Sequence, residues 1–114
     1  MPDYKSPSIV CLCGSTRFKD EFIKANERLT LRGKIVLSVG LFAHADYGGD
    51  AEVVLDDGVK EMLDKLHLHK IKIADEIYII DPDKYIGNST RREIEYARRL
   101  RKPIYYLSNN ELKD

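Results

Sequence analysis

A chain of 114 residues is long enough to bury one self-supporting core and too short for two, so a single domain spanning residues 1–114 is expected, without disulfide or metal staples. Its 19 Lys and Arg balance 19 Asp and Glu, and a formal net charge of zero argues against a nucleic-acid polymer or a membrane surface as partner. With 43% hydrophobic residues and no run near the ~18–20 apolar residues of a membrane span, the composition points to a cytosolic protein that handles small molecules.

After a polar lead without the layout of a signal peptide, Ile9-Val10-Cys11-Leu12-Cys13 is a continuous apolar run that stops at Gly14, the pattern of a strand covered on both faces. Cys11 and Cys13 are the only cysteines. Separated by one residue in this run, they are sterically poor candidates for a mutual bridge and read as small buried strand residues. From Arg17 to Arg32, the spacing of Phe18, Phe22, Ala25 and Leu29 predicts a helix, with Asp20 and Glu21 near its positive end and Gly33 as its stop.

Lys34 to Gly40 reads as a second buried strand, and Leu41 to Asp50 as a long loop rich in Gly, Asp and aromatic residues. Ala51 to Ile73 reads as a helix bent near Gly58, with Val59, Met62, Leu63, Leu66 and Ile73 on its apolar face. Ala74-Asp75 then turns the chain into a third strand, Glu76 to Ile80. Asp81-Pro82-Asp83 breaks that strand, and a helix from Thr90 to Arg101 carries Ile94, Ala97 and Leu100 on one face. Pro103 blocks its continuation, and Ile104 to Leu107 makes a fourth strand before a polar tail.

Alternating strands and helices predict right-handed crossovers and an open, mainly parallel sheet of four to five strands with helices on both faces. Ligands of such sheets lie outside the carboxyl ends of the strands. Here those ends carry Gly14 to Arg17, Leu41 to Asp50 and Asp81 to Thr90.

Gly14-Ser15-Thr16-Arg17 joins a buried strand to a helix, which aims backbone N–H groups and the positive end of the helix dipole at an anion. Glycine permits close approach, Ser15 and Thr16 offer hydroxyls, and Arg17 offers a bidentate fork. The plainer alternative is that Ser15 or Thr16 caps the helix. Gly87-Asn88-Ser89-Thr90-Arg91-Arg92-Glu93 is a second loop-to-helix junction. There Thr90 and Glu93 have the spacing of a capping box, and Glu95 can pair with Arg91 and Arg99 on a solvated face, roles that require no chemistry.

The combination of strand-Gly-Ser-Thr-Arg, the Ala-Asp-hydrophobic strand at Ala74 to Ile80, the Gly-x-x-x-x-x-Glu-Ile-x-Tyr-Ala segment at Gly87 to Ala97 and the closing Lys102-Pro103-Ile104 resembles the nucleoside 2-deoxyribosyltransferase-like superfamily, which includes deoxynucleoside 5′-monophosphate N-glycosidases. The resemblance runs from about residue 9 to residue 107 and implies a Rossmann-like, flavodoxin-like fold and N-glycosidic bond chemistry without a cofactor. It makes Glu93 the nucleophile, places Gly14, Ser15, Thr16 and Arg17 near sugar or phosphate, and adds Gly87, Asn88, Ser89 and Thr90 as further binding groups. The carboxylate acid of the family falls eight residues before Asp75, where this chain has His67. That departure leaves His67, Asp64 and Asp46 as candidate acids, while His67 and His69 also fit as partly buried helix residues. An aromatic residue orients the nucleophile in the transferases. Phe18 is close in sequence but lacks a hydroxyl, so Tyr47 or Tyr85 would take that part.

In the long loop, His44, Asp46 and Asp50 match no metal-ligand spacing, and no metal is expected. A lid over a base, with Tyr47 or Phe42 stacking on it and Gly48-Gly49 as hinge, fits the composition better. Seven Lys and Arg from Lys84 to Lys102 form a basic run that is mostly a solvated helix face, with Arg91 and Arg92 nearest the junction. These features imply a small enzyme that hydrolyses or exchanges the base of a deoxynucleoside or its monophosphate, working as a homodimer or higher oligomer. The alternatives are a nucleotide-binding sensor without turnover, or a glycohydrolase of NAD or another ribosyl nucleotide.

Overall fold

Strand β1 (Ile9–Gly14) sends alternate side chains into two apolar layers, and that alternation organises the domain. In the computed structural model, which describes residues 6–47 and 57–109, Val10 and Leu12 pack with Phe22, Ala25 and Leu29 of helix α1 (Lys19–Leu31). Cys11 and Cys13 enter the opposite layer, formed by Ile71, Ile94 and Ala97. These come from helices α3 (Asp57–Ile73) and α4 (Asn88–Arg99). β3 (Glu76–Ile80) follows the same rule, with Tyr78 and Ile80 on the α1 side and Ile77 and Ile79 on the other.

β2 (Ile35–Leu37) and β4 (Ile104–Tyr106) complete a four-stranded sheet in the order β2-β1-β3-β4, with every neighbouring pair parallel. This is a Rossmann-like, flavodoxin-like α/β arrangement with helices on both faces, as the alternation of elements in the sequence predicts. The chain winds outward from β1 to β2, then returns to β3 on the other side of β1. Its winding direction therefore reverses between β1 and β3, the point at which such sheets open a crevice.

Several boundaries differ from expectation. Lys34 to Gly40, read as a buried strand, yields only the three residues of β2, with Ile35 46% exposed, because β2 is an edge with one neighbour. The predicted loop after it contains the short helix α2 (Ala43–Tyr47). α4 begins at Asn88, ahead of Thr90, so Thr90 is a buried residue inside the helix. The Gly48-Gly49 hinge, Asp50 and the first part of the helix expected from Ala51 lie outside the described residues. No described helix is long and apolar enough to cross a membrane.

Polar ties hold the amino ends of the strands. Ile9 N–H donates to Asp75 Oδ2 at 2.8 Å, and Asp75 N–H donates back to the Ile9 carbonyl at 2.7 Å. Glu76 accepts from Ser8 Oγ at 2.8 Å and from Lys34 Nζ at 2.6 Å. Lys102 Nζ donates to the carbonyls of Lys72 and Ala74 at 3.0 and 2.7 Å, satisfying acceptors that the end of α3 leaves exposed. The Ala-Asp and Lys-Pro-Ile signatures are thus structural. At the opposite end, buried Asp81 accepts from Ser108 N–H at 2.9 Å and Ser108 Oγ at 2.7 Å, fixing the turn that follows β4.

Gly33 (φ 82°) and Arg101 (φ 57°) occupy equivalent left-handed positions after α1 and α4. In each case the next N–H closes the helix end, Lys34 to the Leu29 carbonyl and Lys102 to the Ala97 carbonyl, both at 3.1 Å. Glycine occupies this conformation without the Cβ penalty that arginine incurs. Gly33→Ala is expected to lower stability by about 1 kcal/mol and Arg101→Gly to raise it by about 0.5–1 kcal/mol, with urea denaturation midpoints as the measurement.

Candidate functional site

The end of β1 has no room for a side chain. A Cβ on Gly14 would lie 2.7 Å from the Ile80 carbonyl oxygen and 3.0 Å from Ile80 Cβ, so glycine is what allows β1 and β3 to stay paired to their carboxyl ends. The chain then turns tightly: Phe18 N–H donates to the Ser15 carbonyl at 3.0 Å, and Ser15 Oγ accepts from Arg17 N–H at 3.3 Å and Arg17 Nε at 3.2 Å. Thr16 Oγ1 accepts from His44 N–H at 3.2 Å. α1 starts beyond this turn with Phe18 at its N-cap and no side-chain cap, so neither Ser15 nor Thr16 performs the capping role that the sequence allows.

A cavity of about 370 Å³ opens at the reversal between β1 and β3, within the range of roughly 300–1,000 Å³ usual for small-molecule sites. Gly14, Ser15 and Thr16 line it from the first turn, and Gly87, Asn88, Ser89, Thr90 and Glu93 from the start of α4. Lys60, Asp64, His67 and Lys70, at helical spacing on α3, form a third side. The two junctions identified in the sequence therefore face one space, together with His67 and Asp64.

Glu93 owes its place here to the start of α4. Gly87 is the N-cap, in extended conformation and without a side-chain cap, and Arg91 N–H donates to its carbonyl at 2.9 Å. The capping box suggested by Thr90 and Glu93 does not form, because Thr90 lies inside the helix; the half-buried Glu93 instead lines the cavity. Burial pushes its carboxyl up to about 7, with Cys11 and Asp64 adding to the rise and His67 and Arg92 opposing it.

His67 is buried, 7% exposed, with Nε2 at 3.7 Å from Cys11 Sγ and 3.4 Å from Cys13 Sγ. Burial by itself would lower its pKa, but the hydrogen bond with Cys11 and the nearby Glu93 charge outweigh that and raise it. The hydrogen bond from Cys13 brings the Cys11 thiol down to about 6 against the opposing effect of burial, and the same bond together with burial pushes Cys13 up.

Other expected site residues lie elsewhere. Asp46 is exposed and paired with Lys19 Nζ at 2.7 Å, and Tyr47 is 50% exposed on α2; neither lines the cavity. Arg17 is likewise outside its lining, with its guanidinium 4.6 Å from the centre of the Tyr85 ring. Phe42 does not line the cavity either: partly buried, it packs edge-on against Phe22, ring centres 5.4 Å apart, against the core. Lys70 was not singled out in the sequence, yet it lines the cavity and its Nζ donates to the Ser38 carbonyl at 2.7 Å. Its spacing of three from His67 on α3 is the signal that could have found it.

No protein-family model matches this chain, and comparison with curated proteins finds no match either. The site places a carboxylate of raised pKa, a second carboxylate on α3, and the hydroxyls and N–H groups of a helix start around one space of ligand size.

The raised pKa of Glu93 has a sign in stability. Glu93 stabilises the fold relative to its ionised form only while protonated, a contribution complete below its ordinary value of 4.5 and lost as pH rises through about 7. Glu93→Gln, which keeps the neutral form, should match the parent near pH 4 and exceed it by on the order of 2 kcal/mol at pH 8, a value reduced for partial exposure. Urea denaturation at both pH values measures the difference; an equal offset at both would contradict it.

Proposed function

We propose that the protein breaks the N-glycosidic bond of a nucleoside or nucleoside monophosphate, with Glu93 as nucleophile, in the manner of the nucleoside 2-deoxyribosyltransferase-like enzymes that its motifs resemble. The observation that carries this reading is the position of Glu93, released from helix capping and facing a cavity shared by both loop-to-helix junctions. Cleavage develops positive charge at the anomeric carbon of the sugar, which a carboxylate stabilises and then traps as a glycosyl ester. The bond from that carbon to the base breaks as the ester forms. Attack by water yields hydrolysis, and attack by a second base yields transfer.

The departing base needs a proton. Among the groups considered for this part, Asp64 lines the cavity, whereas Asp46 is paired with Lys19 away from it and His67 presents Nε2 to the two thiols. Asp64 is therefore assigned the donor role. It restores a carboxylate to the helix before β3, one turn earlier than the family's spacing implies. The N–H groups and hydroxyls at Asn88, Ser89 and Thr90, with Ser15 and Thr16 opposite, suit the hydroxyls of a sugar or the oxygens of a 5′-phosphate. A second copy of the chain completing the site belongs to the same reading, and sedimentation equilibrium tests it.

The decisive experiment measures free base released from a panel of deoxynucleosides, ribonucleosides, their monophosphates and NAD. Release is expected from one deoxynucleoside class, with Glu93→Gln lowering kcat by ~10³-fold or more while substrate binding persists. Release from NAD instead would move the substrate to ribosyl nucleotides. Saturable nucleotide binding without release in either protein would overturn the enzyme reading in favour of a sensor.

A further inference from the structure

Cys11 and Cys13 stand two residues apart on β1, so both side chains leave the same face of the sheet, and α3 lays His67 over them. The donor atoms of the three residues all lie within 4.8 Å of one another, and all three residues are buried, the cysteines at 0% exposure. The geometry points to a binding site for a thiophilic divalent cation, Zn²⁺ by its donor set, held by the Cys11 and Cys13 sulfurs and His67 Nε2.

Three physical arguments support it. The first is size. With Zn–S near 2.3 Å and Zn–N near 2.0–2.1 Å, a tetrahedral ion separates its sulfur and nitrogen donors by about 3.6 Å. The two sulfur-to-Nε2 distances here, 3.4 and 3.7 Å, bracket that value. The second is hydrogen-bond capacity. A ring nitrogen carries either one lone pair or one proton, so Nε2 can form a full hydrogen bond with only one of the two sulfurs, whereas a cation engages both sulfurs and the nitrogen together.

The third is charge. Two thiolates cancel the two charges of Zn²⁺, so a neutral centre forms where an uncompensated charge would be costly. Binding displaces the protons of the two thiols to solvent and takes up imidazole in its neutral form. Two sulfurs and one imidazole select Zn²⁺ over Mg²⁺ or Ca²⁺, which prefer oxygen donors. Three protein donors are one short of a closed structural site, so the fourth position falls to a group outside the triad. His67 also lines the cavity, which puts the ion directly behind the cavity wall.

The test is a Co²⁺ titration of the full chain, with its thiols kept reduced and counted. One Co²⁺ per chain is expected, with sulfur-to-cobalt charge-transfer absorption in the near ultraviolet and the visible bands of a tetrahedral ion. One equivalent of Zn²⁺ should bleach both, and an indicator should record proton release. Cys13→Ser should weaken the charge-transfer absorption, and His67→Ala should weaken binding by ~100-fold or more. Absence of thiolate charge transfer in the parent protein overturns the proposal without reliance on any variant. So does an unchanged spectrum in Cys13→Ser. Because the readout is spectroscopic, its result is independent of whether the cavity turns over a nucleoside.

Discussion

The contact on which the molecule depends is the approach of β1 to β3 at Gly14 and Ile80, where backbone meets backbone with no space for a methyl group. Because the two strands remain paired to their last residues, the segments that leave them start from one edge and diverge around the point where the winding reverses. The crevice there follows from parallel topology, and its chemistry follows from which residues the two exits carry. β1 contributes a hydroxyl-bearing turn. β3 leads through Asp81 and a short turn to the uncapped start of α4, and so to Glu93.

Behind that edge several titratable groups lie close together. Protonation is linked across the group: Cys11 acts on Cys13, His67 and Glu93, and His67 and Glu93 act on each other, in surroundings where burial strengthens such effects. A proton placed on one group alters the preference of the next, so the cluster behaves as a unit rather than as separate residues. The sheet imposes this grouping: alternation along β1 commits every second side chain to the α3 side, and two of those positions are cysteines.

Much of the fold was legible in the sequence because the strands that matter are covered on both faces. β1 and β3 appear as unbroken apolar runs, and β3 has the predicted limits. Edge elements were less legible: β2 is short and half-exposed, so apolar content overstates its length. The site was visible as two junctions, but the role of Glu93 turned on a helix boundary. A start at Thr90 makes Glu93 a cap, whereas the observed start at Asn88 leaves it facing the cavity. The cysteine and histidine cluster was hidden for another reason. His67 lies 54 residues from Cys13, and only the crossover through β2 and α3 brings them together.

The polar ties at Ser8, Ile9, Lys34 and Lys102 all gather at the amino ends of the strands, away from the cavity. The scaffold is thereby secured at one pole while the cavity occupies the other. Residues at that pole that stay out of the core, such as Gly40, Leu41 and His44, can be exchanged without loosening those ties. The ties at the amino ends and the residues that line the cavity thus fall largely on separate parts of the chain.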